Sequence, residues 1–320
     1  MNAKVIEGVS IIIPAYNYAR YLPDAIDSAL AQQSDSPVPV EVVVVDDDST
    51  DDTPAICRSY GDRIRSIHQP NAGLSASRNT GMRQARFDWN LFLDADDLLP
   101  PDTVAVMLRA LDEQTNPQAE TPGPAIIAGQ RLFFDDGNTP QSAEAPSTDG
   151  RSITARDLVL RSQFPCTVLA DRRIIQQLGG FDQTLAASED RDMWIRVAAR
   201  HAVYRLNRVV LWNRCHGVQM SRHAERQTAS VRRVLAKARA NPDLRGRISC
   251  ATWRQADAVC AYQEALMLRD AGAIRPALGA LLRSFRAWPL PMPWLDRAAG
   301  SRFSRERCLL VTLKRGLTSR

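Results

Sequence analysis

The chain has 320 residues, 44% of them hydrophobic, with a net charge of +5. That is enough for one large domain, or one domain with an appendage, around a packed core. No run of 18 or more apolar residues exists, so no membrane-spanning helix is expected. The segment before Gly8 carries Lys4 and Glu7 and lacks the apolar centre of a signal peptide. The six cysteines show no C-x-x-C spacing and read as reduced, mostly buried thiols of a cytosolic protein. Charge is uneven: Ala224–Arg320 holds 19 Lys and Arg against 7 Asp and Glu, leaving 22 against 29 in the rest. An acidic body with a basic tail suggests an acidic partner for the tail.

In chain order, Val9–Ile13 is a β-branched run followed by the turn Pro14-Ala15-Tyr16-Asn17. Tyr21–Gln33 carries Leu22, Ile26, Ala29 and Leu30 at helical spacing. Val40–Val45 is a second strand-like run that stops at Asp46, Asp47 and Asp48, with Asp52 or Thr53 able to cap a helix through Tyr60. Arg63–His68 reads as a strand, Ala72–Arg86 as a turn entering a helix, and Leu91–Leu93 as a short buried strand. Thr103–Leu111 reads as a helix and Ala125–Phe134 as a strand. Asp135–Gly150 reads as a long surface loop. Ile153–Arg161 and Arg172–Leu178 read as helices on either side of the extended Thr167–Leu169. Beyond the Gly179–Asp182 turn, Glu189–Arg200 is a helix with acids at its start, and Val203–Leu206 and Val209–Trp212 are two short strands. Strand and helix in alternation predict an α/β fold with a largely parallel sheet and right-handed crossovers. After Met220 the pattern turns helical, with Arg outside, over Gln227–Ala240, Cys250–Gly272, Ile274–Ala287 and Phe303–Leu317. The expected division is 1–222 and 223–320. The stripe Leu266, Leu268, Ala277, Leu278, Leu281, Leu282 and Phe285 reads as the core of the second part.

Acids at strand ends carry the chemistry. Leu91–Leu93 stops at Asp94, Asp96 and Asp97, and open α/β sheets place ligands at the C-terminal ends of their strands. Asp94 and Asp96 are two apart, hence on one side of an extended chain. Two hard oxygen donors suit Mn²⁺ or Mg²⁺, with water and phosphate completing the sphere. A solvated acidic loop is the plain alternative for an isolated Asp-x-Asp.

Several segments together resemble the family 2 glycosyltransferases, inverting enzymes of GT-A fold. They are Ser10–Asn17 (SIIIPAYN), Val42–Thr53 (VVVVDDDSTDDT), Asn71–Gly81 (NAGLSASRNTG) and Phe92–Asp97 (FLDADD). Gly179–Asp182 (GGFD), Ser188–Val197 (SEDRDMWIRV) and Trp212–Ser221 (WNRCHGVQMS) follow in the family's order. The resemblance implies a Rossmann-like, mostly parallel sheet flanked by helices, with a C-terminal helical appendage. It implies a nucleotide-sugar donor, first of all a UDP-sugar, and transfer to a hydroxyl of a glycan or lipid-linked acceptor in bacterial surface glycan synthesis. Residue by residue it places the base and ribose at Pro14, Tyr16, Asn17, Asp46, Asp47 and Ser49, and Arg78 near the nucleotide. Asp94, Ala95 and Asp96 become the D-x-D segment, with Mn²⁺ or Mg²⁺ on Asp96, Asp94 and His216. Asp190 becomes the general base, with Glu189 beside it, and Arg222 or His223 could close over the diphosphate. Two residues depart from the family pattern: Phe87 and Asp48 stand where Gly, or Gly or Asn, is common.

Three other readings compete. A nucleotidyltransferase would need a basic glycine-rich loop, which Pro14–Arg20 lacks. A degenerate, non-catalytic sugar-nucleotide-binding module would have lost an acid of the D-x-D or the base. Nucleic-acid binding by the tail lacks any reading motif. The basic segment Phe303–Leu317 either rests on anionic lipid at the inner face of the plasma membrane or packs on the body or a second subunit. The expected location is cytoplasmic.

Overall fold

The computed structural model describes residues 6–115, 123–136, 138, 140, 147–162, 164–216, 224–292, 295 and 304–318. Its contacts divide into two units, the first built from 1–155, 162–185 and 189–219, the second from 156–161, 186–188 and 220–320.

The first unit is organised by β1 (Val9–Ala15), every residue of which is buried. It pairs in parallel with β2 (Val40–Asp46) on one side and β4 (Trp89–Phe92) on the other, and β2 carries β3 (Arg65–His68) at the edge. Near-continuous Val and Ile runs are what a strand covered on both faces requires. Fully burying each such side chain contributes about 1.5–3 kcal/mol. Helices α1 (Leu22–Ala31), α2 (Thr53–Ser59), α3 (Leu74–Gln84) and α4 (Thr103–Gln114) connect or follow these strands. α1 turns Leu22, Ala25, Ile26 and Ala29 inward, the face its spacing predicts. Beyond β4 lie β7 (Leu169–Asp171), β5 (Ile126–Asp135), β8 (Val203–Cys215) and β6 (Gly150–Ser152), giving the order β3-β2-β1-β4-β7-β5-β8-β6. In chain order α5 (Ala155–Leu160), which belongs almost wholly to the second unit, α6 (Arg172–Gln177) and α7 (Glu189–Ala198) fall between the later strands. The sheet is therefore mixed: β7 is antiparallel to both β4 and β5, and β6 is antiparallel to β8.

Two strands expected after α7 are one. β8 runs unbroken from Val203 to Cys215 beside β5. The polar Asn207-Arg208 step that splits the sequence pattern lies where the β5–β8 register slips around Gly129. A Cβ on Gly129 would come within 2.4 Å of Val210, so glycine lets the two strands close at this irregularity.

Directions fix the location of the site. β7 opposes both β4 and β5, and β5 is parallel to β8. So β1, β2, β4, β5 and β8 all end at the same sheet edge. A bridge from Leu98 to Trp212 ties the segment after β4 to β8. That is how residues about 120 positions apart come together.

The second unit is helical: α8 (Ala224–Ala240), α9 (Cys250–Asp270), α10 (Ile274–Ala287) and α11 (Ser304–Thr318). Its core gathers Ala258, Val259, Tyr262, Ala265, Ala280 and Leu281 with Met292, Leu295 and Cys308. Ala277 is buried as expected, but Leu282 is 64% exposed: one step past Leu281, it falls off the inward face of α10. The expected 222/223 boundary lies outside the described residues. Among the described residues, no helix is long and apolar enough to cross a membrane.

Candidate active site

Three loops meet at the common edge. The first two are laced together. The Asn17 N–H donates to Ser49 Oγ (2.9 Å), and Thr50 N–H donates to Asn17 Oδ1 (2.8 Å). Asn17 has φ of 58°, a conformation asparagine tolerates better than most residues. Asp46 accepts from Ser49 N–H at 3.0 Å and lies 3.0 Å from His68 Nδ1. Asp47 accepts at Oδ1 from Gln69 Nε2 and Ala72 N–H, and at Oδ2 from Gly73 N–H. It thereby shapes the turn into α3. Tyr16 stands out from this rim, 46% exposed, with Pro14 behind it at the end of β1. Asp48, one of the two departures, has φ of 65°, the left-handed region that explains why glycine or asparagine is common there. The other, Phe87, fills the space that Gly8 leaves; a Cβ on Gly8 would meet its ring at 2.6 Å.

The acidic segment after β4 splits three ways. Asp97 is buried and held by Asn213 Nδ2 and by Arg214 N–H, the latter at 2.9 Å, so it fastens the loop to β8. Burial, then the charges of Asp96 and Asp94, hold its pKa well above the usual carboxylate range. Asp96 Oδ2 lies 2.8 Å from His216 Nε2, with both side chains largely buried. Burial and the Asp94 charge raise its pKa against the opposing pull of His216. Asp94 is more open, 42% exposed, and accepts from Arg78 Nη2 at 2.8 Å. Ala95 between them is buried.

Arg78 is 1% exposed and carries two acids: Nη2 donates to Asp94 and Nη1 to Glu189. Its guanidinium also lies 5.5 Å from the Phe181 ring. So this arginine, expected near the nucleotide, joins the D-x-D segment to the start of α7. Asp190 follows Glu189, and its pKa is pushed up to about 6, first by burial and then by the Glu189 charge, against Arg78. Trp194 is core, packed with Phe92 and Phe181.

Several contributors were not singled out from sequence. Asn79 exchanges bonds with Phe181, donating to its carbonyl (2.8 Å) and accepting from its N–H (2.9 Å). Gly180 makes room: a Cβ there would lie 2.7 Å from Asn79 Oδ1. The motifs around Asn79 and Gly179–Asp182 thus form one joint holding α7's approach against α3. Arg214, 7% exposed, donates to Asp24 and Asp136 and, through Nε, to the Asp96 carbonyl. Tyr21 stacks on His216 with ring centroids 4.6 Å apart. Tyr18 lies near the three acids, and burial with their charges raises its pKa. Cys166 is half-buried beside Arg78, and burial pushes its thiol up. Arginine stacking and a lone cysteine leave no periodic signal in a sequence. Arg222 and His223 lie outside the described residues.

Among the described residues, no three His, Cys, Asp or Glu side chains converge as a complete metal cage. The donors present still fit a divalent cation that shares its sphere with phosphate. Asp96 and His216 face each other, and Asp94 offers a further, partly exposed carboxylate.

Residues 10–149 match the family described as Glycosyl transferase family 2. This segment is a glycosyl transferase family 2 domain. An uncharacterized glycosyltransferase of Rickettsia bellii is 32% identical over 219 residues, 67% of this chain and 31% of that protein. One from Rickettsia prowazekii is 29% identical over 68% of this chain and 67% of its own length. The succinoglycan biosynthesis protein ExoO of Rhizobium meliloti is 42% identical over 48% of this chain and 39% of its length. The chain thus spans from under a third to about two thirds of these relatives. In solved structures, S. aureus TarS 1–349 in complex with UDP superimposes with a TM-score of 0.60 at 20% identity, covering 96% of this chain and 87% of that one. The mannosyltransferase PcManGT of Pyrobaculum calidifontis, in complex with GDP-Man and Mn²⁺, gives 0.56 at 18% identity, covering 96% and 84%. A family 2 domain and the GT-A-like fold, both expected from the motifs, are found.

Proposed function

We propose that the chain is a metal-assisted, inverting glycosyltransferase that moves a sugar from a UDP-sugar to an acceptor hydroxyl in bacterial surface glycan synthesis. The observation that carries this reading is the pair of acid stations joined by buried Arg78. One is Asp94 with Asp96; the other is Glu189 with Asp190. Inversion needs attack from the face opposite the leaving diphosphate, hence two stations with the sugar between them.

The nucleotide takes the first two loops. Tyr16 offers an exposed ring face for the base, with Pro14, Asn17 and Ser49 shaping the turn. Asp47 Oδ2 accepts one bond among the described residues, which leaves capacity for an imide N–H. Asp46 is committed to Ser49 and His68 and supports the loop. Mn²⁺ or Mg²⁺, when bound, neutralises charge on the leaving diphosphate, and Asp96, His216 and Asp94 would hold it. Asp190 removes the acceptor hydroxyl proton as that oxygen attacks the anomeric carbon. A pKa of about 6 keeps it mostly ionised at neutral pH yet basic enough to take a proton. Arg78 holds Glu189 and Asp94 and so sets the spacing between the stations. A non-catalytic binding module would lack one of these acids, and each is present.

UDP is tested first because TarS, a structural neighbour, was solved with UDP and with UDP-GlcNAc. The PcManGT complex makes GDP the comparison. Calorimetry with Mn²⁺ against UDP-, GDP- and dTDP-sugars decides. Metal-dependent binding of a UDP-sugar alone supports the reading, and binding of GDP-Man in its place overturns the donor.

The acceptor, a glycan or lipid-linked glycan, fits a chain that works at the inner membrane face. Two features favour peripheral contact with anionic lipid. The second unit carries the basic surplus, and five of the eight exposed large apolar residues described belong to it: Leu282, Leu290, Leu310, Val311 and Leu313. α11 packs through Cys308 and Thr312 and presents Leu310 and Leu313 outward. No nucleic-acid partner is part of this reading.

A further inference from the structure

The helical unit contains a cavity that the transferase reading does not use. It has a volume of about 290 Å³ and is lined by α8, α9 and α10. Arg232, Leu235 and Arg239 are three and four apart, so they share one face of α8. Arg283 and Ala287 do the same on α10, and Asp257, Cys260 and Ala261 contribute from α9. Three arginines from two helices therefore line one cavity together with the apolar Leu235, Ala261 and Ala287 and the acid Asp257.

We infer that this cavity is a binding site for a phosphate ester. Three cations there are matched by two carboxylates, both on α9. Arg232 and Arg283 donate through Nη2 to the same oxygen, Glu264 Oε2, at 2.6 and 2.8 Å. Arg239 Nη2 donates to Asp257 at 2.7 Å and its guanidinium lies 5.0 Å from the Trp253 ring. Each guanidinium has five N–H donors and spends only Nη2 on these carboxylates. The side chains of Arg232, Arg239 and Arg283 are 52%, 39% and 52% exposed, so an incoming anion reaches them without opening the core. A phosphate that displaces Glu264 offers Arg232 and Arg283 an oxygen each, where they now share one, and the nearby Arg239 adds its charge to the same cavity. The apolar lining from Leu235, Ala261 and Ala287 suits a phosphate that carries an acyl or isoprenoid chain. The site is independent of the donor site at the sheet edge.

Two sources share this chemistry, a lipid headgroup and a soluble phosphate ester. Calorimetry on the full chain compares dioctanoyl phosphatidic acid with glycerol 3-phosphate. Binding of both assigns a general phosphate site, and binding of the lipid alone assigns a headgroup site. In either case R232Q, R239Q and R283Q each weaken binding about 10-fold or more, with circular dichroism unchanged. E264Q gives the opposite sign: with the competing carboxylate removed, binding tightens several-fold. A purely structural set of ion pairs would not produce that gain. Binding of neither probe, or affinities unchanged in all three arginine variants, or weaker binding in E264Q, overturns the inference.

Discussion

Replacing Asp190 with asparagine separates the proposed base from every other role in the site. The shape is kept, the proton acceptor is lost, and Glu189 cannot step in because Arg78 holds its carboxylate. Loss of a positioned base costs about 10²–10⁴-fold, so D190N is expected to bind donor normally and turn over at least ~100-fold slower. The pH dependence gives an independent check. With a pKa of about 6, the carboxylate is about nine-tenths ionised at pH 7 and about one-tenth at pH 5. The base works ionised, so nucleotide release should fall about 10-fold between those values. Stability runs the other way. A carboxyl whose folded pKa is raised from 3.8 to about 6 contributes stability that is fully present below the unfolded value and lost as pH rises through about 6. The ceiling on that term is about 3 kcal/mol, and strong coupling to Glu189 lowers it. D190N, which carries no charge, should therefore match or exceed the parent in thermal stability at pH 8 while being nearly inactive. Turnover within 10-fold of the parent, or a rate flat down to pH 4.5, would refute the assignment.

D96A should lose Mn²⁺-dependent UDP binding in calorimetry with its circular dichroism intact; full turnover in excess EDTA would remove the metal from the scheme. D47A strips acceptors from Gln69, Ala72 and Gly73, so we expect weaker UDP binding together with about 1–3 kcal/mol of lost stability in urea; an unaltered UDP dissociation constant would take Asp47 out of the nucleotide site. G81A places a Cβ 2.4 Å from Ile12 Cγ2, and overpacking there should cost about 1–3 kcal/mol, read as a lower urea midpoint; an unchanged midpoint would mean that α3 can move off β1 freely. The full chain should float with anionic vesicles at low salt, and lose this at high salt and on truncation after Gly300; equal flotation of the truncated chain would make α11 purely structural.

The sequence made the left half of the sheet legible because its strands are short, β-branched and closed by acids. Val40–Val45 ending at Asp46 needs no partner to be recognised. β7 was harder to read. Three residues long, it joins the sheet antiparallel between β4 and β5, and neither length nor composition announces that direction. β8 looked like two strands because a bulge needs polar residues where a flat strand would bury apolar ones. Within the site, the acids were visible and their partners were not. Asp94, Asp96 and Asp97 form one motif in sequence and three separate attachments in space, to Arg78, to His216 and to β8. The bridge between Leu98 and Trp212 fastens the segment after β4 to β8, a long-range contact with no local trace.

The same contacts indicate how the two stations could be kept in step. Arg78 is buried and shares a single positive charge between two carboxylates, so once Asp94 moves off, that whole charge falls to Glu189. Moving Asp94 away from it, as closer engagement with a metal and diphosphate would require, therefore strengthens its hold on Glu189. That pull acts on the first residue of α7, next to Asp190. On the proposed reading, a donor seated at Asp94 would thus bear on Asp190 before any acceptor arrives. Asn79 and Gly180 fix the other approach to that helix, so the adjustment falls on the acids themselves. On this argument R78K is not conservative: one ammonium in place of a planar fork cannot span both acids in the same geometry. It should lower turnover even where donor binding survives.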